Sequence, residues 1–295
     1  MSPRRKLIIG GLVLVQILLL AAMVAVIRPG ATGGFFLFPP GIFQIGGVDV
    51  REPIEEETVT VGDAPEIIIR NDVGTVRVET GQAGVVTISG ERVARGLSRE
   101  DARQRLSDVV PRIRTTDNRV EIDAPAFTGI RRQDSINLVV QVPQQSRVTA
   151  DAKMGSVRAD GLTGDLTVDA GMGAVRVRDF QGNLFVNAGM GRIDVSNTEI
   201  QKELTLNADM GSVEFSGVPG DRNSLDAGMG SIVVALPRDT ALNLNVQVGM
   251  GSFRSDLPLD GTQTERSYRG LLGQGEPTGS MEIDAGMGSV RIRER

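Results

Sequence analysis

The chain has 295 residues, a formal charge of −5, no Cys, His or Trp, and one Tyr, Tyr268. These absences exclude a thiol nucleophile, an imidazole base, disulfides, and the ordinary zinc, iron and copper sites. Glycine is abundant (37) and aromatics are scarce (3%), which points to many turns and a thin core within a length that one all-β domain can fill.

Residues 7–27 are apolar apart from Gln16 and carry no charge, long enough for a helix to span a bilayer. Arg4, Arg5 and Lys6 precede them, so the positive-inside rule puts the N-terminus in the cytoplasm and the rest of the chain outside. A cleaved signal peptide is the competing expectation, but it needs a shorter apolar core and small residues at −3 and −1. Met23 before Ala25 and Pro29 before Ala31 supply no such site. Residues 1–28 are therefore expected to be a cytoplasmic stub and an uncleaved transmembrane signal-anchor helix at the cell membrane. Ala21 and Ala25 offer a small-residue face beside Gln16 for a helix partner.

Residues 29–47 form a Gly/Pro-rich linker that also holds Phe35, Phe36, Phe38 and Phe43. A bland linker would be polar; this one is expected either at the outer membrane boundary or against the base of the following domain. Arg4, Arg5, Lys6 and Arg28 are the only charges of the first 28 residues, so the remainder carries −5 − 4 = −9. With no basic stripe and few stacking rings, that balance excludes nucleic acid as a partner.

Residues 48–150 read as an irregular stretch of β-structure. The segment Glu66-Ile-Ile-Ile-Arg-Asn-Asp-Val-Gly-Thr-Val-Arg-Val is a degenerate form of a unit that recurs later, and strand-like runs follow at 85–89, 119–122 and 136–142. One helix interrupts them. Ser98 and Asp101 make a capping-box-like start, Ala102, Leu106 and Val109 line one face, and Pro111 ends it. Its expected task is to cover a sheet edge.

Residues 151–295 carry the main signal. Ala-x-Met-Gly-x-Val or a near variant recurs around Met154, Met172, Met190, Met210, Met229, Met250 and Met287, at intervals of 18, 18, 20, 19, 21 and 37, the last about two periods. A fixed period of this size signals a solenoid. Within one unit Leu166, Val168 and Ala170 alternate with Thr167 and Asp169; Gly171-Met172-Gly173 follows, and then Val175 and Val177 alternate with Arg176 and Arg178. The unit reads strand, corner, strand, with the inward set switching from even to odd numbers at the corner. Gly155, Gly173, Gly191, Gly211, Gly230, Gly251 and Gly288 follow every Met, so that position needs positive φ or has no room for a Cβ. The Met side chains are expected to stack as an inward ladder filling corner space. Six-residue steps from Val157 meet Thr163 and Asp169, against a left-handed hexapeptide helix. The expected fold is therefore all-β: a single-stranded right-handed β-solenoid of ~18–21-residue coils, about 35 Å long, with one transmembrane helix and one short inserted helix. Charge at Arg291, Arg293, Glu294 and Arg295 would blunt the final edge.

The apolar N-terminal segment, the repeated Asp/Asn-Ala-Gly-Met-Gly-Ser-Val phrase and Val142-Pro143 ahead of the regular coils together resemble a bacterial domain-of-unknown-function family of candidate adhesins. The resemblance covers about residues 46–295. It implies membrane-anchored β-solenoids with a surface binding role and supplies no catalytic residues.

Candidate chemistry is sparse. The column three places before Met (Asp151, Asp169, Asn187, Asn207, Asp226, Gln247, Asp284) would form an outward polar ladder. Calcium favours oxygen ligands, but calcium-binding repeats put acids inside glycine-rich turns, and this corner has none; side-chain hydrogen bonding along the ladder is the expected role. Four places after Met, Arg176 and Asp194 are expected to pair across strands. Asp194 and Glu214 are the only neighbouring carboxylates there that a glycan-active enzyme could use, and exposed Trp and Tyr for sugar stacking are nearly absent. Gly273, Gly275 and Gly279 have the wrong spacing for a dinucleotide loop and read as the loop that breaks the period. Lys153 and Lys202 have no supporting nucleophile motif. No catalytic, cofactor-binding or metal residue is assigned, and no enzyme activity is expected. The expected role is a structural or interaction module for an envelope protein or polymer, with a membrane-tethered sensor as alternative; oligomeric state stays open.

Overall fold

The computed structural model describes residues 47–126, 128–129 and 132–295. The expected transmembrane segment 7–27 and nearly all of the linker lie outside these residues. Among the described residues, no helix is long and apolar enough to cross a membrane.

The protein is all-β: the described residues form 23 strands and one short helix, the strands joined in a sheet that closes nearly on itself, barrel-like. Each repeat contributes a long and a short strand. Thr163–Met172 lies parallel to Arg147–Met154 on one side and Gln181–Met190 on the other, with equivalent residues in register. The short strand Val175–Arg178 lies parallel to Val157–Asp160 and to residues 193–196. Period-2 alternation explains why both kinds form. Leu166, Val168, Ala170, Val175 and Val177 are buried, while the residues between them are exposed or half-buried. The inward parity does change at the corner.

Each corner rests on its glycine. Gly173 has φ +147, and a Cβ there would fall inside contact distance of the Gly155 carbonyl oxygen one coil below. Both conditions inferred from the sequence hold at once: a conformation L side chains avoid, and no space. The backbone ladder continues through the corner, Gly173 N–H donating to Met190 O at 2.8 Å and Val175 N–H to Arg192 O at 2.9 Å.

Two expectations need correction. The Met ladder faces outward. Met172, Met190, Met210 and Met229 are each 43% exposed, whereas Met281, outside the corners, is 1% exposed. The last inward position is alanine before six of the seven Met corners, and Ala152, Ala170, Ala188, Ala208, Ala227 and Ala285 are at most 1% exposed; Val248 takes it before Met250. Where the chain bends from the long strand to the short one, the interior is narrow, and in most repeats it holds only a methyl group. The glycine then turns the backbone so that Met lies outside.

The second correction concerns coil order. The expected stack ran in chain order through Met250 to Met287. Instead Ser280–Met287 lies between Arg222–Met229 and Leu242–Met250, parallel to both. The C-terminal coil is inserted, and the Met250 coil ends the stack. A hairpin, Leu259–Gln263 with Ser267–Leu272, makes this possible by adding antiparallel to Leu242–Met250 on its free side. The chain then returns through the Gly273–Gly279 turn to fill the vacant place. Tyr268 and Phe253 close the interior at this end, with ring centroids 5.9 Å apart.

At the other end the irregular region joins the same ladders. Val73 stands in register with Met154, and Gly74 has φ +122. Asn71 takes the alanine place: it is 2% exposed, and its Nδ2 donates to Ile136 O at 2.9 Å. The helix Arg99–Leu106 starts at Ser98, whose hydroxyl accepts from Asp101 N–H at 3.1 Å, while the Asp101 carboxylate accepts from Leu97 N–H at 2.8 Å. Its buried face, Ala102 and Leu106 continued by Val109 beyond its end, packs against Val85–Gly96 and Val48–Thr60. Among the described residues, Val48–Thr60 pairs only with Val85–Gly96, which places it at the edge of the described sheet. Pro53, a register shift between Ile54 and Glu57, and the run Glu55–Glu56–Glu57 blunt it further.

Candidate interaction surface

Identical residues in parallel register turn the outside of the repeats into continuous columns. The outermost is the Met ridge, running Val73, Met154, Met172, Met190, Met210, Met229, Met287, Met250 in spatial order. Glycine flanks most of these Met residues on both sides, so the thioethers stand clear of neighbouring side chains.

The column three places before Met is outward, as expected. Insertion of the C-terminal coil brings Asp284 beside Asp226. Partial burial, then the charges of Asp284 and Asp209, raise the Asp226 pKa above its ordinary 3.8. A carboxyl with a raised folded-state pKa contributes stability that is present below its unfolded pKa and is lost as pH rises through the folded value. Ionised Asp226 therefore opposes folding at neutral pH. Asp226→Asn is expected to stabilise the protein by a few tenths of a kcal/mol at pH 7. In thermal melts that gain should disappear on acidification below the ordinary aspartate range; a pH-independent gain would assign it to another cause. Asn187 and Asn207 show that the column already accepts the amide.

In the column four places after Met, Arg176 Nε donates to Asp194 Oδ2 at 3.1 Å, the pairing expected from the repeat. Glu214 is held by Arg192 and by Arg293, the latter at 3.1 Å. The two candidate carboxylates are thus each engaged by arginine on plain strands. Lys153 Nζ lies 2.7 Å from Asp72, and that hydrogen bond and charge raise its pKa, the opposite of what an amine nucleophile needs. Lys202 is exposed on a strand. Among the described residues, no group of three or more acidic side chains is arranged to hold a metal ion.

The inserted coil and the added hairpin create a feature that the sequence did not announce. A groove of about 570 Å³ crosses the outer face of the long strands, lined by Thr205, Ser224, Glu282, Asn245 and Arg269. Asn245 Nδ2 donates to Glu282 Oε1 at 3.3 Å, and Arg269 makes no ion pair among the described residues. Toward the corner, a second hollow of about 770 Å³ is bordered by Gln247, Arg266 and Asp284. These residues are far apart in sequence and meet only because 280–287 enters between 222–229 and 242–250. No local motif could have signalled the groove.

No family model and no curated protein matches the chain. Solved structures do resemble it. One is a candidate cell adhesion protein from Clostridium sporogenes, 14% identical, covering 83% of this chain and all of its own, with a TM-score of 0.40. Another is a candidate adhesin from Bacteroides fragilis at 15% identity, covering 82% and 97%, with a TM-score of 0.38. A third, a candidate lipid binding protein from Parabacteroides distasonis, is 13% identical, covers 82% and 96%, and has a TM-score of 0.30.

Proposed function

We propose that the protein is a membrane-anchored, extracytoplasmic interaction module that performs no chemistry, with its repeats forming a single-stranded right-handed β-solenoid. The observation that carries this reading is the in-register exterior. Met recurs at one exposed position repeat after repeat, and Asp, Asn or Gln at another, on a backbone that the corner glycines hold fixed. Such a surface offers a periodic partner many equivalent contacts, each weak and together additive. Asp194 and Glu214, the carboxylates a glycan-active enzyme would need, are engaged in ion pairs with arginine. The apolar segment 7–27 and its preceding cations support the anchor and the outward orientation.

Cross-linking on intact cells, followed by purification of the full-length chain, should recover an envelope protein or polymer. Protease added outside the cell should digest the 46–295 region. Recovery of no partner, or protection of that region until the membrane is opened, would overturn the reading. A tethered sensor is the second reading, motivated by Gln16 and the small-residue face of the anchor. It requires that exchange of residues 7–27 for an unrelated transmembrane helix abolish function.

A further inference from the structure

The Met ridge is the part of the repeat that packing leaves unexplained. Met172, Met190, Met210, Met229 and Met287 are 42–43% exposed and Met250 is 59% exposed. A solvated corner needs only the glycine; a polar side chain in the Met place would leave the interior unchanged. Yet the apolar residue recurs at every corner. We propose that the ridge is a homodimer interface, in which a second copy of the chain lays its Met ladder on this one about a two-fold axis parallel to the ladder.

Two arguments select a second copy. The first is period. Rungs of both ladders share the inter-strand spacing of about 4.8 Å, so thioethers that interdigitate at one rung do so at every rung. The second is charge. A two-fold axis along the ladder sets the column before Met in one copy opposite the column after Met in the other, rung by rung. Asp151 then faces Arg158, Asp169 faces Arg176, and Asp284 faces Arg291. Where the second column turns acidic, at Asp194 and Glu214, the first is neutral, at Asn187 and Asn207. No rung from Met154 to Met250 sets acid against acid. A two-fold axis across the ladder would instead oppose each column to itself, including aspartate to aspartate. The aspartates also disfavour docking on an anionic lipid surface. The exposed thioethers offer on the order of 500 Å² per copy, and the flanking columns bring the contact toward the roughly 800 Å² per partner of a standard interface.

The proposal goes beyond the interaction-module reading, because copies can fail to cross-link while an envelope partner is still recovered, and the reverse. Absence of Cys from the chain makes single substitutions clean reporters. The full-length protein in membranes, carrying Met190→Cys or separately Met250→Cys, is treated with a short bismaleimide. Parallel pairing puts each position against its own copy. Both should give at least about tenfold more covalent dimer than Thr167→Cys on the outer strand face, through raised effective concentration. Asp169→Lys added to Met190→Cys should lower the yield severalfold, and Asp169→Glu should preserve it. Cross-linking at Met190→Cys without Met250→Cys, which lies at the end of the ladder, would overturn the parallel arrangement. No excess over the control at either position, in variants with native circular dichroism, would overturn the interface.

Discussion

Gly173→Ala is expected to destabilise the protein by about 3 kcal/mol or more and to lower the melting temperature by roughly 6–12 °C. Two costs add at this position. The native φ of +147 is one that alanine rarely adopts, and the new methyl group would overlap the Gly155 carbonyl oxygen. That oxygen belongs to the backbone of the neighbouring repeat, so relief requires the two repeats to separate, which loosens the ladder bonds from Gly155 N–H to Met172 O and from Val157 N–H to Ala174 O. Gly275→Ala separates the two costs. Gly275 also has positive φ, +105, but open space where its Cβ would lie. Its loss should be near 1 kcal/mol, the dihedral cost alone. Equal losses for both variants in denaturant titrations would show that coil contact is not what the corner glycine protects.

Tyr268→Ala is expected to cost about 3–5 kcal/mol, the range for emptying a large buried aromatic site. Tyr268 is 1% exposed, its ring lies against Phe253, and its hydroxyl donates to Leu271 O at 2.6 Å. It closes the end of the interior where the hairpin folds over the Met250 coil, so truncation opens the last coil to water. Tyr268→Phe keeps the packing and removes one hydrogen bond, for a loss near 1 kcal/mol. The two variants should also part at high pH. Burial raises the Tyr268 pKa, so the phenol's contribution to stability is present below its unfolded value and lost as pH rises through the folded one. The parent should therefore lose stability in alkaline titration faster than Tyr268→Phe. Coincident alkaline profiles would show that this phenol does not govern the loss.

Much of the β-architecture was legible because its causes are local and repeat. Alternation of Leu166, Val168 and Ala170 with polar neighbours sets which face is buried, and identical units at nearly constant spacing can only stack with like on like. The glycine after each Met announced its backbone conformation by its constancy. The Arg176–Asp194 pair followed from register alone. The helix was legible from Ser98 and Asp101, whose capping bonds depend on residues within one turn.

The outward Met ladder was not legible in the same way. Period-2 counting from Ala170 places Met172 inside, and the count fails because the chain is already turning there. The signal was present at the last interior place, which is alanine in six of the seven Met repeats: a column so restricted to small side chains leaves little room for thioethers two residues later. The groove lined by Asn245, Glu282 and Arg269 had no signal at all, since its walls come from three segments whose adjacency depends on where the last coil docks.

The opening absences and the charge retain their meaning for the fold. Without Cys, His or Trp, the chain relies on an aliphatic interior and backbone ladders, and its 37 glycines include the corner positions that let coils approach. By itself the sequence determined the strand–corner–strand repeat and which of its residues are buried, because each is set by neighbours within one repeat. The tertiary structure alone decided which way the Met residues face and that the C-terminal coil enters before the Met250 coil. The width of the interior at a corner, and the choice of strand edge on which a returning chain adds, are properties of the assembled sheets.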